Sequence, residues 1–461
     1  MPVRWIVKRG PSGGARAATG IFGCALLAVV FSGFPRVASA VPSFARQTGL
    51  PCAQCHVIAF GPALTEYGRQ FKLNGYTFAK QDGGLKIPLA ATLLAGYSIP
   101  SKAAPNLPPY SDDGNLVVQD VSAFLAGRLG EHLGAFVKGT YDGVARSASW
   151  DNLDVRYART LELGTHALVA GIDVNNNPTV QDLWNSTPIW SFPYVLPRLV
   201  PGLGGATMIQ GALGQSVLGA SAYSMIDNRL YLELGFYREI SDKWLGNLGE
   251  GGFSTHVSGA APYARVTLQR QDGPHYFAVG AVGLSVKQRP FTTTSQSNRF
   301  DDYGLDGTYQ FSAGGEHAVD AHLAWYHEDR SLDASFATHT SDAVSNSLNT
   351  LLADVSYALR QTWVGSLGLF DTTGTTNHVL FAPGPIGGSA AGSPDSRGYT
   401  LQLEYVPFGK AGSFASPWIN VRLGLQYTGY WRFNGGNANY DGFGRSASDN
   451  NTLFLFTWLA F

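Results

Sequence analysis

The chain has 461 residues, and Lys plus Arg (32) nearly balance Asp plus Glu (33), which excludes a basic field for nucleic acid. Charged residues make up only 14% and aromatics 12%, with 56 glycines. No apolar run after the first 40 residues is long enough for a transmembrane helix. The composition fits a membrane β-barrel, in which polar and apolar residues cancel in the average.

Met1 to Ala40 reads as a secretory signal peptide. Arg4, Lys8, Arg9 and Arg16 form the positive region and 21–34 the apolar one, and Ala38-Ser39-Ala40 is the cleavage site. The mature chain is expected to begin at Val41. Of three cysteines, Cys24 falls in this leader, so the mature chain keeps two.

Both remaining cysteines lie in Cys52-Ala53-Gln54-Cys55-His56, the C-x-x-C-H attachment site of a c-type haem. The two thiols add to the haem vinyl groups, and His56 takes the iron as proximal ligand. Two other chemistries use a Cys-x-x-Cys pair. A zinc site calls for four ligands, and there is no second pair. A redox disulfide leaves His56 incidental and calls for a βαβ pattern around it.

After the motif, Pro62 suits the first turn of a helix. Leu64, Tyr67 and Phe71, three and four apart, give it one apolar face to cover a haem plane. Arg69 and Lys72 are candidates for the haem propionates or else solvated charges. Asn74-Gly75 ends the helix. A segment of about forty residues cannot bury a haem alone. It has no Met and no second His, so it is expected to dock against the rest of the chain.

From Gly83 to Phe461, apolar and polar residues alternate with period two. Ile419, Val421, Leu423, Leu425, Tyr427 and Trp431 share one face of the clearest case. About 16 antiparallel strands are expected, starting near 86, 116, 132, 151, 165, 216, 228, 262, 273, 300, 316, 349, 363, 397, 416 and 450. Short turns and long loops alternate, as on the two rims of a transmembrane barrel. Arg159 breaks the apolar face of Leu153, Val155, Tyr157 and Leu161, which points to a bulge or a misplaced boundary. In the last strand, Phe454, Phe456 and Trp458 face the lumen, where apolar rings make sense if something packs on them. The longest loop, 175–206, follows the fifth strand. Either it folds into the lumen and roofs the haem, or it is a rigid surface loop.

The organisation is thus an all-β, 16-stranded barrel (83–461) preceded by a small α-helical cytochrome c segment (41–82) and a leader (1–40). Candidates for a sixth iron ligand are His132, His166, His275, His317 and His322, with Met208 and Met225 also available. Loop carboxylates Asp112, Asp113, Glu250, Asp301, Asp302, Glu328 and Asp329 are candidates for gathering hard cations.

Phe461 ends the last strand as in the C-terminal signal of bacterial outer-membrane proteins, which it resembles, and leader, haem motif and barrel together resemble the fused outer-membrane cytochrome–porins of iron-oxidising bacteria. The sharpest parts are 44–49 before the motif, Gly68-Arg69-Gln70-Phe71-Lys72 with Gly75-Tyr76 after it, and 175–194. The resemblance implies one covalent c-type haem in an outer-membrane barrel. It also implies an extracellular electron donor, Fe(II) foremost, and a periplasmic cytochrome or other soluble carrier as acceptor. The competing expectations are a transport porin gated or plugged by the haem segment, and a soluble exported cytochrome on a β-sandwich.

Overall fold

The structure, a computed structural model, describes residues 41–80, 88–104, 109–251, 255–290, 295–413 and 416–461. The leader and the 82/83 boundary lie outside the described residues. Three short helices come first: α1 (Pro42–Thr48), α2 (Cys52–Cys55) and α3 (Glu66–Leu73). The strands follow as β1 (Leu89–Pro100), β2 (Asn115–Arg128), β3 (Leu133–Asp142), β4 (Ser147–Leu163), β5 (His166–Asn175), β6 (Val217–Ile226) and β7 (Leu230–Glu239). Next come β8 (Thr255–Val257), β9 (Ala261–Asp272), β10 (His275–Pro290), β11 (Asn298–Ala313), β12 (His317–Ser331) and β13 (Ser345–Leu359). The last are β14 (Trp363–Gly374), β15 (Ser396–Tyr405), β16 (Asn420–Arg432) and β17 (Thr452–Ala460).

The strands pair antiparallel in chain order except that β7 pairs with β9, and β1 pairs with both β2 and β17, so the sheet closes on itself. β8 and β9 both pair with β10 and form one interrupted stave, which makes a 16-stave barrel. Closure leaves no unpaired edge, the condition for a sheet to lie in hydrocarbon.

The expected strand starts fall within a few residues of the observed ones. The facing is also as expected. Leu232, Leu234 and Phe236 on β7 point outward, and Leu234 is 70% exposed, while Tyr231, Glu233 and Tyr237 point into the lumen and are buried. Outward Leu305, Leu323, Leu351, Leu401, Leu423 and Leu455 continue the belt round the barrel. Aromatic pairs bound it on both rims: Trp363–Tyr405 at the short-turn end, Trp325–His327 and Tyr399–Trp431 at the other. An outward apolar band between aromatic girdles is the surface a bilayer requires.

Three details differ from the sequence expectation. Connection 406–419 is long although it lies on the short-turn rim, and 143–146 is short although it lies on the other. Arg159 faces outward and exposed, four residues before the end of β4. At that height its charge reaches the interface, where a cation costs little. The register shift in this region lies between β3 and β4 at Val137/Gly139, away from Arg159. Finally, α3 starts at Glu66, not Pro62. Thr65 is its N-cap, accepting from the Gly68 N–H, and Pro62 belongs to the preceding turn.

Residues 41–80 lie inside the short-turn end of the barrel. Ser43 donates to Ala126 O on β2, Asn420 Nδ2 to Ala59 O, Arg422 Nη1 to Gly61 O, and Tyr223 on β6 to Leu73 O. Tyr76 donates to Asp154 on β4, and Arg69 to Gln310 on β11. Bonds to walls on all sides define a plug. Phe60 packs on Trp458, with ring centroids 5.0 Å apart, and Phe454 and Phe456 join the same cluster. The inward apolar rings of the last strand thus have the occupant they called for.

The second filling is connection 176–216, which folds inward from the opposite rim. Arg156 donates to Gln181 O, Tyr326 on β12 to Ser186 O, and Gln426 on β16 to Val195 O. Trp184 donates to Tyr276 on β10, and Phe192 presses on β14 where Gly368 leaves room. Arg198 bridges Asp120 on β2 and Asp142 on β3. The loop therefore crosses the lumen from wall to wall.

Candidate functional site

The site is built on α2, one turn of helix holding both cysteines. Its position is fixed at one end by Ala53 N–H donating to Gly409 O in connection 406–419, 3.0 Å. At the other, Thr65 N–H donates to Cys55 O and Thr65 Oγ1 to Gln54 O. α3 crosses α2 at Gly68, where an added Cβ would sit 2.2 Å from Cys55 O. No side chain larger than hydrogen fits this crossing, and spacing alone gave no sign of it.

Cys52, Cys55 and His56 line one small space of about 90 Å³, partly open to solvent. Val41, Phe44, Leu50, Leu64 and Phe71 from the plug, with Phe136 from β3 and Trp190 from the inward loop, make its wall apolar. Phe44 ties the lining together, edge-on to Phe71 at 5.0 Å and stacked on Tyr76 at 5.2 Å.

The two cysteines are not bridged and are half-buried. Burial raises both thiols, Cys55 to about 12 with Cys52 adding to it. Reactive redox thiols have depressed pKa values, so this setting is that of inert sulfur. Burial lowers His56 to about 4, and the Arg422 charge adds to the effect. The imidazole is therefore neutral at physiological pH, with a lone pair to give. Its Nδ1 lies against the backbone of Pro62 and Ala63 without a hydrogen bond of good geometry.

A zinc site is poorly served. Among the described residues, the one group of three metal-ligating side chains whose atoms converge is Glu239, Asp242 and His256, at the far rim. The cysteine pair and His56 line a space but do not close on a point. Two unbridged thiols on one turn, a neutral imidazole beside them and an apolar lining are the residue types a c-type haem uses.

The other expected residues divide. Leu64, Phe71 and Lys72 line the cavity, whereas Tyr67 packs on Phe78, 5.8 Å between centroids. Arg69 points into the wall, donating to Gln310 and Leu64 O with its guanidinium 3.6 Å over the Tyr276 ring. Lys72 Nζ donates to Val180 O and Asp182 O, 2.7 Å each, so its bonds go to the inward loop and not to open solvent.

Of the histidines, none of the five candidates lines the cavity. His132 packs on Tyr157, His275 on Tyr309 and His317 on Tyr357 in the outer girdle, and exposed His166 pairs with Asp227. His322 points into the lumen, as its parity predicts, but lies between Asp354 (3.1 Å) and Asp320 (3.7 Å). Met208 and Met225 are buried in two other clusters. Asp302 and Glu328 are not loop carboxylates. They are buried wall residues that accept from Ile209 N–H and Met208 N–H, anchoring the inward loop. Trp190 and Asn185 also line the cavity, and neither belongs to a motif. Their sole signal in the sequence is a place in the longest loop.

No family model matches this chain, and no curated protein matches it. Solved structures do. The chain is similar to the outer membrane channel DcaP of Acinetobacter baumannii, with 11% identity over 83% of this chain and 99% of that one, TM-score 0.46. It is similar also to Salmonella typhi OmpF in complex with daunomycin, 12% over 81% and 97%, TM-score 0.46. An anion-selective porin from Comamonas acidovorans matches at 14% over 81% and 98%, TM-score 0.43. The closed barrel, apolar belt and girdles make this a porin-like outer-membrane fold on their own geometry.

Proposed function

We propose that this chain carries electrons across the outer membrane, from an extracellular one-electron donor, Fe(II) first among candidates, to a soluble periplasmic carrier. One c-type haem, joined to Cys52 and Cys55 with His56 on its iron, supplies the redox chemistry when bound. The observation that carries the reading is the C-x-x-C-H turn facing an apolar-lined space inside a closed barrel, with Phe60 of the same segment packed on the wall.

The remaining residues have separable tasks. Neutral His56 offers its lone pair. Gly68 lets α3 seal one side of α2, and Phe44, Phe71, Phe136 and Trp190 give the cavity an apolar wall. The plug and the inward loop both bond to walls across the lumen, while the barrel wall separates the centre from lipid. The competing reading is a transport porin, with 41–80 as plug or gate, and the closed porin-like barrel fits it too.

The test is a visible spectrum of detergent-extracted protein from a host that matures c-type haem, before and after adding Fe(II). A covalent haem that Fe(II) reduces supports the conduit. A haem reduced by dithionite alone removes Fe(II) as donor, and absence of covalent haem returns the chain to the transport porins.

A further inference from the structure

We propose that Lys72 holds up the reduction potential of the cofactor in this cavity, acting as a fixed buried cation clamped between plug and roof. The inference rests on the proposed haem and adds the residue that sets its redox poise.

Lys72 lines the same cavity as Cys52, Cys55 and His56, yet is only 6% exposed. Its ammonium donates to two backbone carbonyls of the inward loop, Val180 O and Asp182 O, and lies 4.6 Å from the Trp190 ring centroid. Trp190 donates to the same Val180 O, so roof and cation are held as one unit. Among the described residues no carboxylate comes within 4 Å of the Lys72 nitrogen. Neutral dipoles therefore fix the charge in place, and Asp154, Asp182 and Asp173 act on it only from beyond ion-pair distance. Burial, with Arg156 adding to it, lowers Lys72 to about 8, which leaves the amine mainly protonated at neutral pH.

The sign of its effect follows from charge alone. Reduction adds one electron to the cavity, taken from the external donor, and a nearby cation favours the state holding that electron. Lys72 itself is nearly buried, so water screens its charge less than at a surface. Other charges stand nearby: Asp154, Asp173 and Arg156 form one buried group, and Asp182 pairs with Arg265. They set the absolute potential, but removing Lys72 alone subtracts one positive charge.

The experiment is spectroelectrochemical titration of full-length, haem-loaded protein in detergent, comparing wild type with Lys72→Met and Lys72→Arg. Covalent haem is quantified in each by its alkaline pyridine spectrum. The expected result is a lower midpoint in Lys72→Met, corresponding to about a tenfold change in the reduced-to-oxidised ratio at fixed poise, or ~59 mV for a one-electron couple. Lys72→Arg keeps the charge and is expected near wild type. An unchanged midpoint in Lys72→Met at full haem content overturns the proposal. So does an equal fall in both variants, which would mark a packing role. Should Lys72→Met fail to mature, Lys72→Gln, which keeps a donor for one carbonyl, gives the same reading. Wild type without covalent haem sinks the proposed function itself, a result distinct from either.

Discussion

Two effects oppose each other at Gly68, and their sizes decide the outcome of a substitution. Alanine in a helix interior is favoured over glycine by up to ~1 kcal/mol. Here its Cβ would meet the Cys55 carbonyl at 2.2 Å, a backbone atom that moves only if α2 moves. Overpacking of this kind costs about 1–3 kcal/mol, so the clash wins. Gly68→Ala is expected to lower covalent haem per protein, with barrel yield unchanged, measured by haem stain against total protein. Cys52→Ala with Cys55→Ala is expected to abolish covalent attachment while the barrel still folds. Haem that stays bound through denaturing electrophoresis in the double variant would refute the assignment of the two thiols. Residues of this kind were unevenly legible. The motif announced Cys52, Cys55 and His56 because three residues in fixed order carry the chemistry. Gly68 and Asn185 act through positions that only the fold brings together.

At the scale of elements, the strands were legible because alternation is imposed by a wall between two solvents. The rim connections were less so. The length of 406–419 makes sense only when Gly409 is seen to accept from Ala53, a contact that spans the chain. The inward course of 176–216 was equally open until its anchors were located on both sides of the lumen. Replacing 178–212 by a short turn is expected to change a chain with no measurable conductance into one with porin-like steps in planar bilayers. A wild-type protein that already conducts would favour transport. On β17, Trp458→Ala removes the ring that Phe60 rests on, and loss of a buried aromatic costs about 3–5 kcal/mol. The expected result is faster proteolysis of 41–80 within an otherwise resistant barrel.

For the whole molecule, the outer surface decides where it can exist. Leu234 stands in the middle of β7 and faces outward at 70% exposure. Leu234→Arg would place a guanidinium at the midplane for about 2–4 kcal/mol. It is expected to cut the yield of membrane-inserted protein, whereas the same change at Leu163, on the rim, is expected to be tolerated. Equal yields for the two would argue against a bilayer around this belt. The composition pointed to such a surface, and the belt explains why: lipid takes the apolar residues outside and the packed lumen takes the polar ones.

The barrel is sealed where its first stave meets its last, Thr92 opposite Ala460, and that last stave also carries the rings on which Phe60 rests. The part of the chain made first is thus enclosed by the part made last. For the proposed haem, this favours one order of assembly. Covalent work on Cys52 and Cys55 has freest access while 41–80 is still outside the cylinder, before β17 zips onto β1. A cell attaching the proposed haem would have two maturation lines to coordinate, one joining a group to a short peptide and one inserting a sheet into a membrane, the first before the second.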